Sequence, residues 1–407
     1  MQSLGAPDRL RGRRRAPARR SGTIAPVTVL VVVFWACVAL LVYAQVGYGA
    51  LLWLLSLLRR GRSAPVTGAP DGDLPAVAVI VAAYREQDSI AARVRNLLAL
   101  DYPRERLEVV VACDGSPDAT AAAARAAGAD RVLELPREGK VRTQDAAVAA
   151  AGAEIVAFGD ANATWEPGAL RELVAPFADP RVGYVCGQVR FADGGAGNQE
   201  GLYWRYEMAL RTLESRLASV TAGNGAIYAT RGEAYLRVDP VMGHDLSFPF
   251  NMVKRGWRAV YAPAARAREP MVPSIEGEFA RKRRMMSHTW PIVLRGGMLS
   301  PRGYGPLYAL MIASHRVLRY VSPFLHLAAL AANLALVALG AGPLYVFTLA
   351  VQAALLAAAC VAGVLPLRPL LVVRYYVLIT ASLAAGLWDW LRHGTPAGWE
   401  PAQGTRT

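Results

Sequence analysis

Long apolar runs at both ends of the chain constrain its architecture more than any other feature. Residues 24–58 contain no charged side chain, and the runs 321–339, 344–365 and 370–388 are each long enough to cross a bilayer, since a spanning helix needs about 20 residues. The first run is long for one span and short for a hairpin of two. It reads as one helix, with Tyr43, Tyr48 and Trp53 as interfacial anchors. It far exceeds the apolar core of a cleaved signal peptide. Composition agrees: 54% of residues are apolar and 19% charged, which is more apolar and less charged than ordinary soluble domains and excludes disorder, collagen and coiled coil as the main architecture. One span therefore precedes a polar middle and three follow it.

The flanks and the middle read differently. Residues 1–23 are rich in Arg, Pro and Gly and are expected to be a disordered basic tail; 59–74 form a polar linker and 391–407 a C-terminal tail. Between 75 and 300 the pattern becomes that of a soluble α/β domain. Val77-Ala78-Val79-Ile80-Val81 and 107–112 are β-branched, near-continuous apolar stretches, as buried parallel strands are. Short strands at 131–134 and 155–159 alternate with helical stretches, and this spacing predicts a doubly wound parallel sheet. Residues 306–320 are apolar but include His315, Arg316 and Arg319, which suits an interfacial helix. The link 340–343 has no Lys or Arg and the next carries Arg368 and Arg374, so the soluble domain is expected in the cytoplasm. Seven arginines in the first tail disagree: either the first run hides a hairpin or the tail breaks the rule.

The formal charge of +14 admits nucleic acid, anionic lipid or an anionic substrate. It lies mostly in the tail and beside the apolar runs, and no nucleic-acid recognition module accompanies it, so nucleic acid is not expected as a partner. The four cysteines form no CxxC pair and imply neither a zinc site nor a disulfide framework. No GxxxxGK[ST] is present and no GxGxxG follows the first strand, which removes P-loop and dinucleotide readings. Instead, acidic residues collect where ligands sit in an open sheet, at the carboxyl ends of strands. Glu86 follows the first strand, Asp114 the second and Asp160 a later one. Carboxylates there can hold ribose hydroxyls or a cation carrying a diphosphate; they can also simply cap helices and turns. Lys140, after Gly139, could neutralise phosphate or be a solvated lysine.

The ordered set Ala83-Tyr84-Arg85-Glu86, Cys113-Asp114-Gly115-Ser116, Gly139-Lys140, Asp160-Ala161-Asn162, Gly223-Asn224-Gly225, His244-Asp245 and Arg281-Lys282-Arg283-Arg284 resembles the membrane-integrated family 2 glycosyltransferases. Cellulose, hyaluronan and poly-N-acetylglucosamine synthases are examples. The resemblance covers residues 75–300 and extends to Ser314-His315-Arg316. It implies a GT-A, Rossmann-like domain that transfers a sugar with inversion from a nucleotide sugar, commonly a UDP-sugar, with Mg²⁺ or Mn²⁺. The acceptor is a glycan or a lipid, in a multi-pass protein of the cell membrane.

What the resemblance implies for residues is specific. Ala83, Tyr84 and Glu86 line the nucleotide site, with Arg85 in place of the family's Asn. Asp114 holds the nucleoside and Lys140 lies near the nucleotide. Asp160 and Asn162 match the DxD motif and bind the metal, although the second acid is here an amide. Asp245 is the general base, with His244 either tuning the site or a polar neighbour. Arg281 and Arg284 are candidates for the departing diphosphate; only Arg284 matches the Gln-x-x-Arg-Trp motif directly, and Met285 replaces its Trp. That Trp supports the acceptor end in processive synthases. Trp290 is the substitute candidate, or packs at an interface. Apart from the resemblance, Trp204 either stacks on acceptor sugars or, as such stripes more commonly do, packs in the core, and the Gly223-Asn224-Gly225 turn lets an acceptor approach the backbone. The alternatives are a single transfer to a lipid, or a non-catalytic subunit that binds nucleotide sugar.

Overall fold

The computed structural model describes residues 24–58, 74–191, 199–270 and 274–395. The basic tail, nearly all of the linker and residues 396–407 lie outside the described residues. An eight-stranded sheet organises the polar middle. Its first four strands are β1 (Val77–Ala83), β2 (Leu107–Asp114), β3 (Arg131–Leu135) and β4 (Ile155–Gly159). The others are β5 (Thr164–Trp165), β6 (Val182–Phe191), β7 (Tyr228–Arg231) and β8 (Arg258–Glu269). The order is β3-β2-β1-β4-β7-β6-β8-β5. β3, β2, β1 and β4 are all parallel. Every residue of β1 is buried, as expected of a strand covered on both faces.

The other half of the sheet departs from the parallel expectation. β7 runs antiparallel to both β4 and β6, β5 runs antiparallel to β8, and only β6 and β8 are parallel there. Two of these strands are too short to carry a periodic signal. β6 is broken up by Gly183 and Gly187, where an added Cβ would lie 2.8 Å from the Trp257 side chain and 2.3 Å from the Ala265 carbonyl oxygen. Close packing thus required glycine and erased the β-branched signature.

Among the described residues, three helices are long and apolar enough to cross a membrane, Pro26–Leu58, Pro343–Val361 and Arg368–His393, and a bent pair, Pro306–Tyr320 with Ser322–Ala338, would make a fourth. Large apolar side chains on them face outward: Leu58 is 76% and Phe347 66% exposed. The first run is not a hairpin. It is α-helical at Ile24–Val42, π-helical at Tyr43–Gly47 and α-helical again at Tyr48–Leu58. Its 33 residues extend for about 50 Å at 1.5 Å per residue, well beyond the ~30 Å of a hydrocarbon core. The excess has a use. Phe34 and Cys37 pack with Ala329, Ala332 and Leu336 of Ser322–Ala338. One π turn further along, Tyr48 and Leu52 are buried against Leu210 and Leu217 of the helix Gln199–Leu217 in the sheet domain.

The interfacial segment is a short helix, Pro306–Met311, a π-helical turn, Ile312–Val317, and a final turn, Leu318–Tyr320. It bends by 62° into Ser322–Ala338. The last helix, Arg368–His393, is fastened to the helix Ile275–Leu294: Arg283 donates twice to Asp389, both at 2.6 Å, and Arg374 to Glu276 at 2.7 Å. Arg374, expected in a loop, therefore sits within a helix and is paired.

Candidate active site

Register aligns the strand ends. Ala83 pairs with Cys113 and Val81 with Gly159, so Tyr84, Asp114 and Asp160 emerge along one edge of the sheet. Asp114 is almost fully buried. Its Oδ1 accepts the backbone N–H of Glu138 (2.8 Å) and of Gly139 (3.0 Å), and its Oδ2 accepts Arg137 Nη1 at 2.7 Å. Three of about four acceptor directions of the carboxylate are used, which leaves one for a nucleoside. Gly139 takes φ +96°, a conformation open to glycine. It thereby turns its N–H to Asp114 while opening the helix Lys140–Ala151. Asp114 thus anchors the turn that launches Lys140.

Lys140 forms an ion pair with Asp160. Burial works against the ammonium charge, but Asp160, with Asp245 and Glu269 further off, outweighs it and raises the Lys140 pKa. The backbone of Gly225 closes over this pair: an added Cβ would lie 3.3 Å from Asp160 Oδ2 and 3.6 Å from Lys140 Nζ. Two neighbours escaped the motif reading. Arg93 is buried, stacks on Trp165 at 4.9 Å, and keeps Nε and Nη2 without a partner among the described residues. Burial lowers its pKa to about 9. Glu269 ends β8, one residue beyond the Thr164–Arg268 pairing that follows Asp160-Ala161-Asn162. Burial, then the charge of Asp160, pushes its carboxyl up to about 7 against Arg281, Lys140 and Arg93. Arg93 follows β1 by a helical turn and Glu269 closes an irregular strand, so neither belongs to a sequence-local motif.

Among the described residues, no three His, Cys, Asp or Glu side chains converge as a protein-only metal cage. That agrees with the donor set here. One carboxylate and one amide oxygen, from Asp160 and half-buried Asn162, suit a divalent cation that draws its other ligands from diphosphate and water.

On the nucleoside side, Arg137 lies 3.2 Å from the centroid of the Tyr84 ring, a contact not foreseen from sequence. Ala83 is the buried end of β1. Glu86 is turned inward: its N–H donates to Thr120 Oγ1 at 2.8 Å, and its carboxylate accepts Ser89 Oγ at 2.5 Å. Its main-chain carbonyl accepts the N–H groups of Ser89 and Ile90 at the start of the helix Ile90–Leu98. Arg85 has φ +53° and is held by its N–H on Ser116 Oγ at 2.7 Å. A residue with a Cβ loses about 1–2 kcal/mol there, whereas Asn visits the region more readily. Arg85→Asn should therefore stabilise the protein by about 1 kcal/mol, a rise of about 2 °C in Tm; an unchanged or lower Tm would contradict the assignment of strain.

The acceptor-side residues divide. Gly223 donates its N–H to the Asp245 carbonyl at 2.7 Å, and an added Cβ would lie 1.8 Å from the Tyr184 hydroxyl. Asn224 bridges Gly187 O and the Ile227 N–H, so it shapes the turn. Asp245 is half-buried and lies in the first turn of His244–Lys254, whose N-cap is Gly243. It is not the cap, and its charge acts on Lys140. His244 is buried and stacks on Phe248 at 4.0 Å, and its Nδ1 meets the Tyr228 hydroxyl at 2.8 Å. Burial, with Lys140 nearby, lowers its pKa to about 3 from 6.5. The unfolded chain therefore binds this proton more tightly, and stability should fall as pH drops from 6.5 towards 3. His244→Phe keeps the packing and should flatten that part of the pH–Tm curve with activity nearly unchanged.

Two aromatic candidates are structural. Trp290 is 3% exposed and its indole N–H donates to Leu383 O at 2.9 Å, between helices Ile275–Leu294 and Arg368–His393. Burial of a large apolar ring at this helix junction removes it as an acceptor platform. Trp204 is half-buried against the sheet, its N–H on Val189 O at 2.9 Å. Of the basic cluster, Arg281 grips Glu278 through two 2.7 Å bonds and lies near Glu269, while Arg284 is exposed.

A mixed sheet with acidic strand ends gathered around a lysine defines a GT-A nucleotide-sugar domain. A family model described as "Glycosyltransferase like family 2" matches residues 75–287, a little over half the chain. The chain belongs to glycosyltransferase family 2. It is similar to an N-acetylglucosaminyltransferase of Rhizobium meliloti, 30% identical over 215 residues, which covers 47% of this chain and 50% of the relative. It is similar also to a beta-monoglucosyldiacylglycerol synthase of Synechocystis sp., 31% identical over 237 residues, covering 53% of this chain and 47% of the relative. The chain spans about half the length of the curated relatives it matches. Among solved structures, the mannosyltransferase PcManGT from Pyrobaculum calidifontis, in complex with GDP-Man and Mn²⁺, shares the fold: TM-score 0.65, 24% identity, 90% of this chain and 98% of that one.

Proposed function

We propose that the protein is a membrane-embedded, inverting glycosyltransferase that takes a sugar from a cytoplasmic nucleotide sugar, in the first instance a UDP-sugar, to a glycan or lipid acceptor of the cell envelope. The observation that carries this reading is the convergence of Asp160, Lys140, Gly225 and Asp245 beside helices that dock onto apolar spans. Asp160 and Asn162 would hold a Mg²⁺ or Mn²⁺ ion, which would supply positive charge to the diphosphate. Lys140 adds a positive charge on the same side, and Arg281, released from Glu278, reaches the departing phosphate. Asp245 accepts the proton of the acceptor hydroxyl as its oxygen bonds to the anomeric carbon. The bond to the phosphate oxygen breaks at the opposite face, and its electron pair leaves with the diphosphate.

One observation favours single transfer to a lipid over a long polymer. Met285 stands where the processive motif has Trp, and the alternative Trp290 is buried. The test is to incubate the purified protein in lipid nanodiscs with a panel of nucleotide sugars and lipid or glycan acceptors, measuring nucleotide release and product mass. Addition of one residue supports this reading; a ladder of products supports a processive synthase; no nucleotide release with any donor supports a non-catalytic subunit. Asn162→Asp restores a second carboxylate and should tighten Mn²⁺ binding by about tenfold, read by electron paramagnetic resonance of free Mn²⁺. An unchanged titration would remove Asn162 from the ligands.

A further inference from the structure

A buried polar knot lies where the apolar helices meet the sheet domain. Glu214, on the helix Gln199–Leu217, is 0% exposed. Its carboxylate accepts the Tyr48 hydroxyl at 2.6 Å, the Thr221 N–H at 3.0 Å and His315 Nδ1 at 2.6 Å. The other ring nitrogen of His315 lies 3.3 Å from Glu207 Oε2. Arg316 donates through Nε to Thr221 Oγ1 at 2.8 Å, and Arg319 pairs with Glu207. Four segments therefore meet here: the first apolar helix, the helix Gln199–Leu217, the loop containing Thr221, and the π-helical turn Ile312–Val317. The extra residue of a π turn re-aims a side chain, and such turns recur at functional sites.

The loop that receives these bonds leads to the site. At Thr221 it is tied to Glu214 and Arg316. Two residues later Gly223 bonds the Asp245 carbonyl, and two further on Gly225 faces Asp160 and Lys140. We propose that His315 is a positioning residue for the acceptor half of the site: by bridging Glu214 and Glu207 it sets the loop 219–225, and through Gly223 the place of Asp245, from the membrane side. This rests on the proposed transferase reading. Each of its two ring nitrogens faces a carboxylate oxygen. Burial alone would raise the Glu214 carboxyl, but His315 and Arg316 beside it hold it at about 2, so the charges favour the pairing. The tie couples the catalytic geometry to correct seating of the apolar helices. Sequence alone could not supply it, because His315 and Glu214 are 101 positions apart.

The test compares wild type, His315→Gln and Tyr48→Phe, each in nanodiscs. Tyr48→Phe removes a single hydroxyl bond to Glu214 and guards against a His315 variant that does not fold. Nucleotide affinity, donor hydrolysis to water, and transfer to acceptor are measured separately, with Tm as the control. For His315→Gln we expect nucleotide affinity within about twofold of wild type and donor hydrolysis retained. Transfer should fall by about 10–100-fold, the usual effect of losing an orienting partner. Tyr48→Phe should show the same split, a few-fold in size. Unchanged transfer in a folded variant, or equal loss of nucleotide binding and transfer, overturns the proposal. If His315→Gln does not fold, Tyr48→Phe decides alone by the same criteria. A wild type that releases no nucleotide from any donor is the distinct failure of the functional reading.

Discussion

In Asp160→Ala, transfer falls by about 10³-fold while the protein remains folded. Removal of one neutral donor from a charge-stabilising site already costs about 10²–10³, and Asp160 is the sole carboxylate of Asp160-Ala161-Asn162. The structure adds a sharper expectation. Asp160 stands between Lys140, with which it is paired, and the buried Arg93. Without it the site keeps two cations and only the amide of Asn162 for a metal. Nucleotide binding should therefore weaken greatly and lose its response to Mg²⁺ or Mn²⁺. Titration calorimetry with UDP and GDP, with and without metal, reads this directly. Near-normal turnover, or metal-dependent binding of wild-type strength, would sink the assignment of Asp160. The ion pair is partly solvent-exposed, so the Tm should move by only a few degrees.

Asp245→Asn should leave nucleotide affinity intact and lower turnover by roughly 10²–10⁴-fold, the range for general acid–base catalysis. The substitution preserves shape and loses the proton acceptor. The competing role, a helix cap, is already weakened because Gly243 occupies the cap position. Asn is as good a cap as Asp, so preserved turnover would leave Asp245 structural and transfer the search to Glu269. That carboxyl, raised to about 7 by burial and by Asp160, has a proton affinity suited to a base near neutral pH. His244 is a poorer alternative, since it is enclosed by Phe158, Tyr228 and Phe248.

What sequence could reveal follows the range of the interactions involved. β1, β2 and β4 announced themselves because strands covered on both faces must be apolar throughout, and that requirement is local. The apolar helices were legible for the same reason: a run of about 20 apolar residues is a local signal. Asp114, Lys140 and Asp160 were legible because strand ends in an open parallel sheet are predictable places. β5 to β8 were not, because two of them are short and β6 trades β-branched residues for glycines that admit Trp257 and the Ala265 backbone.

The same division separates the site's chemistry from its arrangement. Sequence determined that a GT-A domain would carry a carboxylate, a lysine and a candidate base beside apolar helices, since each requirement falls on a single position in a recognisable order. Only the tertiary structure decided which of those groups face one another. It buried Trp290 between two helices and set Glu86 against Thr120 and Ser89. It brought Arg93 and Glu269 towards Asp160, and passed His315 from the π-helical turn Ile312–Val317 to Glu214. The Trp290, Glu269 and His315 outcomes depend on packing between elements about a hundred residues apart, where the free energy of burying a charge or a ring is set by partners that no local pattern names.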